Sequence, residues 1–160
     1  MQAMPESRWP DELQKPDPTR VAALLHDFWR ELAALPDLLA REEHLLCATT
    51  IHALRACVVE MMLALNGIAY PAGTRHLNRY LGPSQRAALE KTLYAPTAAG
   101  TAPVANVWIG QAVALVVIYR WYAPQLIAAC QLSYPATAET QTLALLQEKL
   151  PDWPTIITTD

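Results

Sequence analysis

Charged residues are scarce in this 160-residue sequence. They make up 17% of it against 52% hydrophobic residues, and the formal net charge is −3. Without a basic excess the chain has no electrostatic field to hold a nucleic acid or an anionic membrane surface, so we expect neither partner. A chain this long can bury a large core. Its surplus of apolar residues indicates either such a core or an additional buried interface.

Cysteine is rare and odd in number. Cys47, Cys57 and Cys130 each lie among apolar residues, where cysteine usually behaves as a small buried hydrophobic residue. Residues 1–19 are polar and rich in proline, and they lack the apolar run of a signal peptide. These features together predict a protein of the reducing cytoplasm.

Glycine is also rare, and no motif for phosphate binding or nucleophilic catalysis is present. The five glycines form neither G-x-x-x-x-G-K-[S/T] nor G-x-G-x-x-G, and no G-x-S-x-G turn occurs. Potential metal ligands are His44, Cys47, His52 and Cys57, all on one predicted helix. At about 100° per residue they point in different directions, and only His44 and Cys47 share a face. We therefore expect no metal site and no catalytic residue.

The longest apolar run falls short of a membrane span. Residues 104–132 are the most apolar part of the chain, but the uncharged portion, Val104–Tyr119, has 16 residues. A helix needs about 20 apolar residues to cross a bilayer. We interpret this run as a buried core helix and expect no membrane association.

Helical periodicity dominates the rest of the sequence, and no strand pattern competes with it. Helices are predicted at about 18–35, 36–65, 75–81, 83–94, 103–132 and 136–150. The fold class is therefore all-α, an antiparallel bundle of five to six helices in which 36–65 and 103–132 are the long central pair. Asn66-Gly67 is predicted to end the first of these two, with Gly67 at the C′ position.

The chain is predicted to divide into an arm and a bundle. Residues 1–18 contain four prolines and few aliphatic residues, which predicts a flexible arm or linker. Residues 19–160 form the helical bundle domain. Its first helix begins either near Thr19 or at Pro18, in which case Asp17 is the N-cap and Pro18 the first helical residue.

One spaced pair of residues gives an alternative function. Arg20 and His26 match the arginine–histidine spacing of HEPN-type ribonucleases, which are helical bundles that use this pair at a dimer groove. Here the pair lies on the first predicted helix, with its members about 120° apart around the axis. The alternative is a HEPN-like toxin or partner protein that dimerises through a helical face, or a purely structural interaction module.

Four motifs occur in a recognisable order. Leu24–Trp29 reads LLHDFW, Arg41–Glu43 reads REE, Asn66–Leu77 reads NGIAYPAGTRHL, and Tyr134-Pro135 precedes the last helix. This order resembles the C-terminal helical, substrate-binding domain of bacterial nucleotidyltransferases of the aminoglycoside (kanamycin) type. That family has L-(L/I)-H-x-F-W, R-G-E and N-x-x-Y-x-P-G-x-K-x-L segments. The resemblance covers about residues 20–150, with Glu42 in place of the family's glycine and Arg75 in place of its lysine.

The resemblance implies a domain that walls a cleft and orients an acceptor for nucleotidyl transfer. The residues that would form this substrate-binding surface are Arg41, Glu42, Glu43, Asn66, Tyr70 and Arg75. The acidic residues would suit a cationic acceptor, whereas Arg75 would suit a phosphate or a carboxylate. On a straight helix the two groups lie about 40 Å apart, so one small ligand reaches at most one of them.

The family's catalytic half is missing from this chain. In those enzymes Gly-Ser is followed by Asp-x-Asp, whose carboxylates hold Mg²⁺ and align the phosphates of the nucleotide. No Asp-x-Asp occurs here. The resemblance therefore implies a binding domain that is non-catalytic on its own. ATP and Mg²⁺ would be bound only with a nucleotidyltransferase catalytic domain, in cis or in trans, and a homodimer is a further expected partner.

Overall fold

The computed structural model describes residues 12–93 and 104–157, and it confirms the all-α fold class, with no strand in those residues. Within them the chain forms six α-helices: α1 (Pro18–Ala33), α2 (Leu35–Ala40), α3 (His44–Leu65), α4 (Pro83–Leu93), α5 (Val104–Cys130) and α6 (Ala136–Lys149). A single 3-10 turn, Leu77–Arg79, lies between α3 and α4. It replaces the short helix predicted at 75–81, since so few residues cannot sustain an α-helix without tertiary support.

The start of α1 follows the second of the two predicted alternatives. Pro18 is the first helical residue, and Asp17 is the N-cap, whose Oδ1 accepts a hydrogen bond from the Thr19 N–H at 3.0 Å. Periodicity predicts an apolar stripe for this helix, and all its members are buried, although the last belongs to α2: Val21, Leu24, Leu25, Phe28, Leu32 and Leu35. Trp29, which the stripe did not include, is buried as well. The predicted arm is described only from residue 12, and residues 1–11 lie outside the described part of the chain.

The prediction of one continuous helix over 36–65 is wrong. The chain leaves α2 at Ala40 and begins α3 at His44, and Glu42 between them has a left-handed φ of 56°. The Glu42 N–H donates to the Leu39 carbonyl at 3.1 Å and the Glu43 N–H to the Leu38 carbonyl at 2.9 Å. This is the Schellman pattern that ends a helix, formed here without the usual glycine.

Consecutive long helices of the bundle run antiparallel where side-chain contacts define their direction. Arg20 near the start of α1 contacts Glu60 near the end of α3. Asn66, after the end of α3, contacts Gln85 at the start of α4. Arg55 in the middle of α3 donates to Thr92 near the end of α4.

The two longest helices form the central pair, as predicted, and they begin at the same end of the bundle. The Trp108 indole N–H near the start of α5 donates to Nδ1 of His44, the first residue of α3, at 3.3 Å. Arg55 of α3 also donates to Gln111 of α5 at 3.2 Å. Burial lowers the pKa of Arg55, although the guanidinium stays charged at neutral pH.

An aromatic cluster joins α1 to α5 in the core. Tyr119 is fully buried, its ring stacks on Phe28 with centroids 4.5 Å apart, and it meets Trp29 edge to face at 5.0 Å. The Tyr119 hydroxyl donates to the Leu25 carbonyl at 3.0 Å, so its polar atom has a partner in this apolar site. Burial raises the pKa of Tyr119 well above its ordinary range.

Length and composition alone would allow α3 and α5 each to cross a membrane. The core helices of globular proteins pass the same test. In the structure these two helices pack on each other and on α1, which agrees with the prediction that 104–132 is a core helix.

Candidate functional site

The six predicted site residues lie in two groups near opposite ends of α3. Arg41, Glu42 and Glu43 precede its first residue, whereas Asn66, Tyr70 and Arg75 follow its last. α3 has 22 residues, and a helix rises about 1.5 Å per residue, so it is about 33 Å long. One small ligand therefore cannot contact both groups. This agrees with the distance argued from the sequence, although the helix predicted over 36–65 is divided into α2 and α3.

The first group forms the connection between α2 and α3. Arg41, Glu42 and Glu43 are all exposed, and their backbone makes the Schellman turn. The neighbouring Leu45 is 86% exposed. This end of the bundle therefore presents one basic and two acidic side chains beside an apolar one.

Asn66 is held by the protein itself. Its side-chain amide donates to the Tyr80 carbonyl at 2.9 Å and to Oε1 of Gln85 at 2.7 Å, and its Oδ1 accepts from Nε2 of Gln85 at 2.9 Å. Oε1 of Gln85 also accepts from the Gly82 N–H at 2.8 Å. Asn66 thus positions the segment between α3 and α4, and binding a ligand through its amide would cost these bonds.

The stretch from the last turn of α3 into α4 carries only basic charge. Residues 61–89 contain no aspartate or glutamate, but they include Arg75, Arg79 and Arg86. We call residues 75–79 the basic loop. Its Arg75, His76 and Arg79 are exposed, and they border an open depression of about 360 Å³.

The two arginines of the basic loop differ from the third arginine of the segment. Arg86 forms an ion pair with Glu90 one turn along α4, at 2.7 Å. Neither Arg75 nor Arg79 pairs with a carboxylate within residues 12–93 and 104–157. Within those ranges no carboxylate competes with an external anion for their guanidinium groups.

A groove of about 220 Å³ lies beside Tyr70, between α1, the end of α3 and the residues that precede α1. Arg20 and Glu60 line it as a bidentate pair, with both N···O distances 2.7 Å. The hydrogen bond with Glu60 raises the pKa of Arg20. Tyr70 is 50% exposed at the edge of this groove.

The groove has a rim that sequence reasoning did not find. The Gln14 N–H donates to the Gly67 carbonyl at 2.7 Å, which brings part of the predicted arm against the end of α3. Gly67 has φ 80° and occupies the predicted C′ position, with the Ile68 N–H bonded to the Leu63 carbonyl at 2.9 Å. Backbone pairing across so many residues leaves no signal in sequence periodicity.

The two side chains predicted to share a face for metal binding do not form a site. Nδ1 of His44 accepts the Trp108 indole N–H, and Cys47 is fully buried, which raises its pKa. Within the described ranges no three histidine, cysteine or acidic side chains converge. Burial, followed by nearby carboxylates, raises the pKa of Cys57 to about 11, so this thiol is a poor nucleophile at neutral pH.

The HEPN-like pair is separated in the structure. Arg20 lines the groove and is held by Glu60. His26 is exposed and is not among the residues that line this groove. The two side chains therefore do not share this groove.

No protein-family model matches this chain, and neither does any curated protein or any solved structure.

Proposed function

We propose that this chain is a non-catalytic helical binding domain whose basic loop holds an anionic group, a phosphate or a carboxylate, of its substrate or partner. The single observation that carries the proposal is the exposure of Arg75 and Arg79 without an ion pair in the described residues, in a segment that contains no acidic residue.

The chemistry of arginine supports an oxyanion ligand. A guanidinium offers a planar fork of N–H donors that matches two oxygens of a phosphate or a carboxylate. The Asn66–Gln85 pair and the 3-10 turn fix the segment that carries both arginines. The ligand would therefore meet donors that are already partly ordered, which lowers the entropic cost of binding.

The finer assignment is to the substrate-binding domain of a nucleotidyltransferase of the aminoglycoside type, and the motif resemblance alone supports it. In that role the chain would act beside a separate catalytic domain that binds ATP and Mg²⁺. Arg75 would contact a phosphate or a carboxylate, while Glu42 and Glu43, at the other end of α3, could serve only a different ligand. We favour the basic end, because Arg41–Glu43 already connects two helices.

Titration calorimetry at low salt tests the anion site, with inorganic pyrophosphate and citrate as phosphate and carboxylate probes. Substituting Arg75→Gln and Arg79→Gln together should weaken binding about 10- to 100-fold, because a hydrogen bond to a charged group contributes about 1.5–3 kcal/mol. Arg86→Gln is the matched control and should bind as the wild type does, since Arg86 already pairs with Glu90. Equal binding by the double variant and the wild type would reject the site.

A second experiment addresses the finer assignment. Incubated with ATP, Mg²⁺ and a panel of aminoglycosides, the isolated chain should transfer no nucleotide, because it lacks Asp-x-Asp. Measurable adenylylation would contradict a non-catalytic role. No observation favours the HEPN-like alternative, since His26 does not line the groove that holds Arg20.

A further inference from the structure

Helix α5 carries an apolar stripe on the side that faces away from the core. Its members recur at alternating spacings of three and four residues: Val107, Gly110, Ala114, Val117, Trp121, Pro124 and Ala128. None of them is charged and none is fully buried, and Trp121 is 58% exposed. This spacing is that of the contact seam between two packed helices. We call these seven residues the outer stripe.

The outer stripe is only one helix wide. Arg120, next to it on α5, is directed away to Glu139 at 2.7 Å and to the Ile157 carbonyl at 3.0 Å. Gln125, also adjacent, donates its side-chain amide to the Trp121 carbonyl at 2.9 Å. A narrow stripe between polar borders fits a single partner helix.

The order of large and small residues makes the stripe complementary to itself. Suppose that two copies of α5 pack antiparallel about a two-fold axis that passes between Leu115 and Val116. A residue that precedes the axis in one copy then faces the residue that follows it by the same number of positions in the other copy. That register places these residues of the two copies opposite one another: Gly110 and Trp121, Ala114 and Val117, and Val107 and Pro124. The largest side chain then lies over the residue that has none.

We infer that the outer stripe is the interface of a symmetric homodimer, formed by antiparallel packing of α5 from two copies of this chain. The two-fold arrangement uses the same patch on both copies, as closed dimers do. No like charges meet across it, because the stripe has none. This inference does not depend on the proposed anion site, which lies on the loop between α3 and α4.

The size of the stripe sets the expected strength of the dimer. α5 has 27 residues, which gives a length of about 40 Å, and a helix is about 10 Å wide. Two copies therefore bury about 800 Å² through this helix, which is below the range of about 1,200–2,000 Å² for stable interfaces. We expect a weak dimer that forms as concentration rises, with Trp121 as its largest contact.

Sedimentation equilibrium on the full chain, from about 1 μM to about 1 mM, covers the dissociation constants of such weak complexes. We expect a reversible change from monomer to dimer over this range. A monomer at every concentration would overturn the inference. So would a monomer that binds vesicles of neutral phosphatidylcholine, because the stripe would then face a bilayer.

A charge exchange at Ala114 tests the two-fold symmetry. Residue 114 lies near the proposed axis, so Ala114→Glu places two carboxylates close together and Ala114→Lys two ammonium groups. Each variant alone should be monomeric, and an equimolar mixture should recover the dimer. The control is Ala48→Glu, the same change at an exposed position of α3, which should dimerise as the wild type does. Dimerisation of Ala114→Glu alone, with an unchanged circular dichroism spectrum, would reject the interface.

A second variant tests the register. Gly110→Leu adds apolar surface and helix propensity but occupies the space that Trp121 of the other copy would fill. We expect the dissociation constant of the dimer to rise at least about tenfold. If the contact were apolar but had no defined register, the added surface would instead strengthen it. Stronger association of Gly110→Leu would therefore overturn the proposed register.

Discussion

Asn66 and Gln85 hold each other through two hydrogen bonds between their side-chain amides, at 2.7 and 2.9 Å, across 19 residues of sequence. Gln85 is buried and Asn66 partly so. The pair closes the segment between α3 and α4, because each side chain also bonds to the backbone of that segment. Asn66 donates to the Tyr80 carbonyl, and Gln85 accepts from the Gly82 N–H. The basic loop is therefore carried on a segment with an internal brace.

Removing one amide of this pair should destabilise the fold. Asn66→Ala leaves a buried donor and acceptor on Gln85 partly unpaired, which costs about 1–3 kcal/mol of unfolding free energy. The double variant with Gln85→Ala should cost less than the sum of the two single variants, because the interaction is shared. Urea denaturation provides the measurement. Asn78→Ala, at an exposed position, is the control, and an effect as large there would contradict the assignment.

Replacing Glu42 by glycine should stabilise the protein. Its φ of 56° is a left-handed conformation, which costs a residue with a side chain about 1–2 kcal/mol. We expect Glu42→Gly to raise the unfolding free energy by about 0.5–1 kcal/mol. Arg41→Gly, at φ −94°, should lower it by a similar amount, since glycine there only adds freedom to the unfolded chain. Equal effects of the two substitutions would show that backbone conformation is not the cause.

Arg120 should keep the C-terminal residues on the bundle. It joins Glu139 of α6 to the Ile157 carbonyl, and its side chain is only 26% exposed. Arg120→Gln should therefore speed hydrogen exchange across residues 151–157, where Trp153 is buried. The ion pair between Arg30 and Asp27 is more exposed, and Arg30→Gln should leave this exchange unchanged. If residues 151–157 exchange as slowly in Arg120→Gln as in Arg30→Gln, the proposed role of Arg120 is wrong.

Alkaline pH should destabilise the protein partly through Cys57. Its pKa is raised from an ordinary 9.0 to about 11, chiefly by burial. Below pH 9 the thiol is protonated in both states, so its contribution to stability is fully present there. As pH rises from 9 to 11, the unfolded state releases its proton first, and that contribution is lost. Cys57→Ala should therefore lose less stability over this window in urea titrations, and an identical slope would reject the argument.

The termini of the helices were predictable wherever a residue with a special local role marks them. Asp17 and Pro18 begin α1, and Gly67 follows α3 at its C′ position, because capping depends on neighbours in sequence. The break at Glu42 was not predictable. Neither glycine nor proline marks it, and the helix ends there because packing of α2 and α3 outweighs the strain of a left-handed glutamate.

For the candidate site, the sequence indicated which chemical groups are present but not which of them are exposed and which are bonded within the fold. Arg75 was expected to suit an anion, and it is exposed on a segment without acidic residues. Asn66 was predicted with the same binding surface, but its amide is occupied by Gln85 and Tyr80. Nothing in the sequence around Asn66 indicates these partners, which lie 14 to 19 residues away.

What the sequence determined by itself is local and periodic: an all-α chain, a stripe that buries one face of α1, and caps at Asp17 and Gly67. Only the tertiary structure decided which polar groups meet, as with Arg20 and Glu60, 40 residues apart. The physical reason is that periodicity reports which face of a helix is apolar, whereas a pair of polar side chains forms only once packing has set the position of both helices. Packing therefore decided that Arg75 and Arg79 have no carboxylate partner in the described residues. It also decided that the Asn66 amide is bonded within the fold.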